Sequence, residues 1–187
     1  MDQDSQHEQP SVDVNQILRT SRNDRLLHRV AETMRREAQL PDYSNPDRDD
    51  RWKYLLDGVG ALENVVELLT ATGGYSTIHR GVPLEASELP TFKTLAPEEA
   101  VKEIGRRIQD KTRPVSSEES PDASAQRVKW TLRHEGFLFG LRALGLNVDS
   151  NGSVIPGGTR VSSPAQQHGA VNDLKASMQD MPQLPSH

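Results

Sequence analysis

The chain has 187 residues, enough for one domain with a substantial core, and its formal net charge is −5. Its content of 34% hydrophobic and 4% aromatic residues and its mean hydropathy of −0.69 are low for a wholly globular chain, so we expect part of it to be unfolded. The absence of cysteine excludes disulfides, thiolate metal ligands and cysteine nucleophiles.

The composition also bears on where the protein resides. No run approaches the roughly 18 apolar residues of a membrane span, and the first residues are polar and acidic, unlike a secretory signal. We therefore expect a soluble, intracellular protein, cytoplasmic or nuclear, with no membrane contact.

The N-terminal part of the chain predicts a short tail followed by helix. Residues 1–10 contain too few apolar side chains to pack, so we expect a disordered acidic tail. From Ser11 to about Gln39 the apolar spacing predicts one helix or two short helices in line, with a break in the polar stretch 19–25. The apolar side of this segment consists of Val14, Ile17, Leu18, Leu26, Leu27, Val30 and Met34.

The stretch from Pro46 to Gly74 has the densest apolar periodicity in the chain. Its main apolar residues recur every three or four positions, so on a helix they share one side. This apolar stripe consists of Trp52, Leu55, Val59, Leu62, Val66 and Leu69. Asn45 and Pro46 suit the start of the helix, and Gly73 and Gly74 suit its end.

The stripe has two interpretations: the core of a small domain or an interface with another helix. We favour the core, because the stripe covers only about two and a half heptads and a sustained coiled coil usually shows three or four. The stripe is wide, however. We therefore expect Trp52, Leu55 and Leu62 to be internal, while part of the flanking set, Leu56 and Val65 among them, contacts a partner.

The next segment is less regular. The stretch from Tyr75 to Val82 contains β-forming residues and predicts a short strand or an extended connector. Prolines keep the following segment irregular. Its expected anchors on the core are Val82, Leu84, Leu89 and Phe92.

A third helix is predicted from Pro97 to about Gln109. Its acidic residues lie in the first turn and its basic residues near the end, which complements the helix dipole. The dipole explains the basic cluster at residues 106–113 at least as well as a binding patch does. Residues 110–120 are predicted to be a loop or linker.

A fourth helix is predicted to begin at Ser120-Pro121, a polar cap followed by a proline, and to run to about Leu144. Its second half is apolar on nearly all sides and should be buried. Gly136 and Gly140 are four residues apart, a spacing that would let another helix pack closely against this one.

The C-terminal part predicts a hairpin and then a tail. Asn151-Gly152, flanked by apolar residues, favours a β-hairpin with a type I′ turn. Residues 157–187 are rich in Gly, Ser, Pro and Gln, with only a weak helical pattern at 171–178, so we expect a disordered polar tail. The predicted fold is therefore mainly α: a small four-helix domain over residues 11–156 with a minor β-hairpin and disordered termini.

The motifs that usually mark enzymes are missing from the sequence. No two histidines are four residues apart, and the glycine pairs lack the pattern of a phosphate-binding loop. His28 and His134 are interpreted as helix-surface residues, and Glu63 and Glu67 as a solvated face, because paired carboxylates become catalytic only where burial separates their pKa values. We predict no catalytic residue, no metal site and no cofactor.

One basic pattern has a functional interpretation. Arg22, Arg25, Arg29 and Arg36 recur at spacings of three, four and seven, which on one continuous helix forms a stripe opposite the apolar side. Arginine can bind phosphates through two hydrogen bonds, and Lys129 and Arg133 of the fourth helix would extend the positive field. Against nucleic-acid binding, the stripe has no interleaved aromatic residues for base stacking.

These observations favour a non-catalytic helical interaction or assembly protein of the scaffold, adaptor or cofactor type, which binds a protein partner or associates with itself. The alternative is a nucleic-acid-binding protein that uses the basic first helix. The third interpretation is a small enzyme without a recognisable motif.

Overall fold

The computed structural model describes residues 13–39, 49–68, 82–114 and 120–185. In these residues the fold is mainly α, as predicted, with one two-stranded hairpin. The helices are α1 (Val14–Asn23), α2 (Leu26–Gln39), α3 (Arg51–Leu68), α4 (Leu89–Phe92), α5 (Pro97–Asp110), α6 (Pro121–Ala143) and α7 (Pro164–Ser177). The strands are β1 (Leu146–Val148) and β2 (Val154–Pro156). None of the helices in these ranges has both the length and the apolar character needed to cross a membrane.

The first predicted helix is two helices, which decides between the two forms that the sequence allowed. α1 ends at Asn23, and Arg25 turns the chain with a φ of 49°, in the left-handed region that non-glycine residues rarely adopt. Asp13 caps α1 by accepting a hydrogen bond from the backbone N–H of Asn15 at 2.9 Å. α2 then begins at Leu26.

The central helix α3 begins at Arg51, later than the predicted start at Pro46. Asp49 lies just before it and accepts a hydrogen bond from the Arg51 backbone N–H at 3.0 Å. This carboxylate cap satisfies a first-turn donor, so the helix begins where the cap is. The Arg51 guanidinium also donates to the Met178 carbonyl at 2.6 Å, which ties the start of α3 to the C-terminal segment.

The apolar stripe of α3 forms the centre of the core, as we favoured. Its described members are Trp52, Leu55, Val59, Leu62 and Val66, and none is more than 8% exposed. Leu69, the predicted caps Asn45, Gly73 and Gly74, the strand or connector at 75–81 and the tail at 1–10 lie outside the described residues. The core therefore accounts for the periodicity of the described part of the stripe.

α3 and α6 cross at two glycines. A Cβ atom built on Gly136 would lie 2.8 Å from the carbonyl carbon of Leu55 and nearer still to its oxygen. A Cβ atom on Gly58 would lie 2.7 Å from the backbone nitrogen of Phe137. The two backbones thus touch, and the expectation that Gly136 and Gly140 permit close helix packing is confirmed: Gly140 lies against the Leu62 side chain.

The segment before α5 is anchored as predicted. The anchors are Val82, Leu84 and Phe92, which are buried, and Leu89, which packs on the core while partly exposed. Arg107 of α5 holds this segment further: its guanidinium donates to Glu88 at 2.9 Å and to the Pro83 carbonyl at 3.2 Å. The loop and the helix are thereby joined by charge-assisted hydrogen bonds.

The β-hairpin is present, but the predicted type I′ turn is wrong. A type I′ turn needs positive φ at both central residues, whereas Gly152, with φ 77°, has positive φ and Asn151 does not. The Gly152 N–H donates to the Asp149 carbonyl, and the Asp149 N–H to the Ser153 carbonyl, both at 3.0 Å. The Asp149 carboxylate also accepts the Asn151 and Ser153 N–H groups, which favours this longer loop.

The expectation of a disordered tail over 157–187 is wrong for its central part, because residues 164–177 form α7. Ser163 and Gln166 make a reciprocal capping box at its start. Val171, Leu174 and Met178, spaced three and four apart, are buried against the rest of the domain. Of the polar and glycine residues that suggested disorder, Ser163 and Gln166 form the cap and Gly169 and Ser177 are exposed, whereas Gln167 is buried.

Candidate functional site

The four arginines expected to form one basic stripe lie on separate elements. Arg22 is on α1, Arg25 occupies the break, and Arg29 and Arg36 are on α2. Because the helix is interrupted, the spacing of three, four and seven does not place all four on one face, so the predicted single stripe is wrong. The Arg29 guanidinium turns back to the Asp24 carbonyl at the break. Only Arg29 and Arg36, seven apart on α2, share a helical face.

Two of these arginines face carboxylates. Arg22 and Arg25 line a shallow cleft together with His28, Glu63 and Glu67. His28 Nδ1 lies 3.4 Å from Glu63 Oε1, and burial raises the pKa of the half-buried Glu63 carboxyl. Nearby negative charge weakens the attraction of this cleft for a polyanion. Nucleic-acid binding by Arg22, Arg25, Arg29 and Arg36 stays a prediction.

Lys129 and Arg133, the α6 residues of the predicted nucleic-acid site, lie beside an aromatic ring of α3. The Lys129 Nζ atom is 5.7 Å from the centroid of the Tyr54 ring, and the Arg133 guanidinium carbon is 5.2 Å from it. Lys53 of α3 adds a third cation at 5.8 Å. All three are within the roughly 6 Å over which a cation and an aromatic ring attract each other.

Arg133 is the rigid part of this group. Its guanidinium carbon is 4.7 Å from the centroid of the Trp130 ring, and its Nη2 atom donates to Asp57 Oδ2 at 3.2 Å. The Arg133 and Asp57 side chains are only 16% and 18% exposed. Neither lysine forms an ion pair with another described residue. We call this surface the Tyr54 face: Lys53, Tyr54, Lys129, Trp130 and Arg133.

The proposed interface residues of α3 differ in accessibility. Val65 has no exposed surface, so the prediction that it meets a partner is wrong. Its side chain lies within the core because α3 has neighbours on more than one side and the flank of the stripe is covered as well as its centre. Leu56 packs on the core while partly exposed, and its contact with a partner stays a prediction.

A groove of about 490 Å³ lies between α5, α6 and the hairpin. Its apolar lining includes Val101, Phe137, Leu138 and Val148. Its polar lining includes Lys102, Arg106, Gln109, Arg113, His134, Asn147 and Asn151. We call it the hairpin groove. The volume falls in the range of about 300–1,000 Å³ that is typical of ligand sites.

The cations at the edge of the hairpin groove differ in how closely carboxylates pair with them. Arg106 donates to Glu103 at 2.9 Å and to Asp110 at 2.6 Å, and hydrogen bonding from Arg106 lowers the pKa of the Glu103 carboxyl to about 2. Arg113 forms a longer ion pair with Asp110, at 3.7 Å, and its side chain is 70% exposed. Lys102 contacts a serine hydroxyl. Lys102 and Arg113 therefore carry the positive charge that a ligand would meet.

His134 of α6 is the histidine that lines the hairpin groove. Burial lowers the pKa of its imidazole, with a smaller opposing effect from the neighbouring Glu135 carboxylate. The ring is therefore neutral at neutral pH and can both donate and accept a hydrogen bond. The interpretation of His134 as an ordinary helix-surface residue is wrong, because the hairpin and α5 face this side of α6.

No three His, Cys, Asp or Glu side chains gather into a metal-binding group in the part of the chain that the structure describes. Comparisons of the chain with protein-family models, with curated proteins and with solved structures found no match. The Tyr54 face and the hairpin groove are therefore interpreted from their own residues.

The sequence contained part of the signal for both surfaces. The basic cluster at 106–113 marks one side of the hairpin groove, but its charges also fit the helix dipole. Tyr54 and Trp130 supply the aromatic rings that the arginine stripe lacked, yet they are 76 residues apart in the chain. Neither spacing nor periodicity relates residues so far apart on two helices.

Proposed function

We propose that the protein is a non-catalytic helical interaction protein that binds a short acidic segment of a protein partner in the hairpin groove. The occupant is a segment in which a large apolar side chain is flanked by carboxylates. The observation that carries the proposal is the combination, in one groove, of an apolar lining and edge cations that retain their charge.

The apolar lining supplies the affinity. Phe137 and Val101 are buried, whereas Leu138 and Val148 remain partly exposed at the groove. Covering apolar surface contributes about 25 cal/mol per Å², so one inserted leucine or phenylalanine side chain is an effective anchor. The groove has room for such a side chain, and aromatic residues are favoured at the centres of interfaces.

The edge charges supply the preference for an acidic segment. Lys102 on α5 and Arg113 in the turn that follows α5 are exposed, so a carboxylate can approach them from solvent. The amides of Gln109, Asn147 and Asn151 can pair with the N–H and C=O groups of a peptide backbone. Complementary charge of this kind governs specificity and the rate of association.

Peptide binding tests the proposal. The probe is a fluorescent peptide in which leucine and phenylalanine alternate with glutamate, and the reference is the same peptide with lysine in place of glutamate. We expect fluorescence anisotropy to show binding of the acidic peptide and weaker binding of the basic one. The double substitution Lys102→Glu with Arg113→Glu should lower the affinity for the acidic peptide by about tenfold or more.

The matched control reverses two exposed cations outside the groove, Lys111→Glu with Arg142→Glu, and should leave the affinity close to that of the wild type. Amide chemical shifts in α5 and the hairpin should change on titration. Equal binding of the acidic and basic peptides, or unchanged binding by the groove variant, would contradict the proposal.

A further inference from the structure

We infer that the Tyr54 face is a binding site for single-stranded nucleic acid, separate from the hairpin groove. Lys53 and Lys129 would contact phosphates of the strand, while Tyr54 and Trp130 would offer ring surface to its bases. This assignment does not depend on the peptide function proposed above, because the two surfaces share no residue.

The Tyr54 face is positively charged, although the chain as a whole has a formal net charge of −5. Three cations lie within 5.8 Å of the Tyr54 ring, and one of them, Arg133, donates a hydrogen bond to the Asp57 carboxylate. Lys53 and Lys129 have no ion-pair partner among the described residues. Like charges placed this close repel one another, and a bound phosphate would relieve that repulsion.

The rings are accessible and held in place. Tyr54 and Trp130 are partly exposed, and both lie on long helices that pack closely at Gly58 and Gly136. Cation–aromatic contacts between the Arg133 guanidinium and both rings restrain the rings further. Sites for unpaired strands combine fixed aromatic surfaces with cations along the backbone, which is the combination present here.

A single strand fits this face better than a duplex. Bases can stack on a side chain only where they are not already stacked inside a double helix. A surface that binds only the phosphate backbone of a duplex needs cations but has no use for exposed aromatic rings. The aromatic residues that the α2 arginines lack are present here, so we place the nucleic-acid contact on α3 and α6 rather than on α2.

Binding of fluorescent oligouridine, measured by anisotropy between about 50 and 200 mM salt, tests this inference. The wild type should bind the oligonucleotide, and a duplex RNA of mixed sequence should bind more weakly. Removing two phosphate contacts by Lys53→Gln with Lys129→Gln should reduce the slope of log affinity against log salt by about 1.4. Tyr54→Leu should lower the affinity roughly 5-fold to 100-fold, and Tyr54→Phe should retain it.

Two controls locate the site. Lys102→Gln with Arg113→Gln makes the same charge change at the hairpin groove, and Arg29→Gln with Arg36→Gln makes it on α2; both should bind oligouridine nearly as the wild type does. Circular dichroism should show that every variant is folded. The inference is overturned if oligouridine does not bind, if the duplex binds as tightly, if the α2 variant loses binding instead, or if a folded Lys53 and Lys129 variant keeps the wild-type salt slope.

Discussion

The crossing of α3 and α6 makes a sharp prediction for Gly136→Ala. Inside a helix this change alone should stabilise the protein by about 1 kcal/mol, because alanine has the better helix propensity. At Gly136, however, the new Cβ atom would lie 2.8 Å from the Leu55 carbonyl carbon, where ordinary contact begins near 3.4 Å. The obstacle is backbone, which has no alternative rotamer, so the helices must separate by more than half an ångström.

That separation loosens the packing between α3 and α6. A gap of about 0.5–1 Å removes a quarter to a half of the attraction between packed atoms. Leu55, Leu62, Phe137 and Leu141 are buried in the core around this crossing. Overpacking of this kind costs about 1–3 kcal/mol and sometimes more. With a backbone obstacle we take the upper end, so the net loss after the propensity gain should be about 2 kcal/mol or more.

Urea denaturation monitored by circular dichroism measures this loss. The urea concentration at the midpoint of unfolding should fall, while the dependence of the unfolding free energy on urea concentration stays unchanged. The matched control is Gly169→Ala on α7, where a new Cβ atom would meet nothing within 4 Å. This control should be neutral or stabilising by up to about 1 kcal/mol. A Gly136→Ala variant as stable as the wild type would refute the close crossing.

Three further predictions concern α7 and the hairpin groove. Leu174→Ala should lower the free energy of unfolding by about 2–5 kcal/mol in urea denaturation, because Leu174 is only 4% exposed; no change would mean that α7 is not part of the domain. Gln167→Met should raise the melting temperature, because the Gln167 amide nitrogen is buried without a hydrogen-bond partner in the described structure, and an unsatisfied donor costs about 1–3 kcal/mol. A lower melting temperature for this variant would contradict the prediction. Burial lowers the pKa of His134 below 6.5, so on acidification the unfolded chain binds a proton at this histidine before the folded protein does. The stability contributed by the neutral, buried imidazole is therefore present above about pH 6.5 and is lost as the pH falls through the folded-state pKa. Urea midpoints measured from about pH 7 to about pH 5 should therefore fall less for His134→Gln than for the wild type, and equal slopes would contradict the assignment.

The sequence determined the helices whose signals are local. The spacing of Trp52, Leu55, Val59 and Leu62 could place these residues only on one side of a helix, and burying that side is what stabilises a small domain. Gly136 and Gly140 predicted a close helix contact for a similar reason, because only glycine lets two backbones touch.

Local patterns failed where a distant or unexpected contact decided the outcome. The arginine stripe assumed a continuous helix, and the left-handed conformation of Arg25 interrupts it. α7 was concealed by a composition typical of disorder, although Val171 and Leu174 supply enough apolar surface once the rest of the domain covers them.

Only the tertiary structure brought the two candidate surfaces together. The Tyr54 face joins α3 to α6, and the hairpin groove joins residues of α5, α6 and the hairpin. A sequence pattern reports which side of one helix is apolar, because that depends on residues three or four positions apart. It does not report which helix will cover that side, because this depends on how closely two backbones can approach, and here Gly58 and Gly136 set that distance.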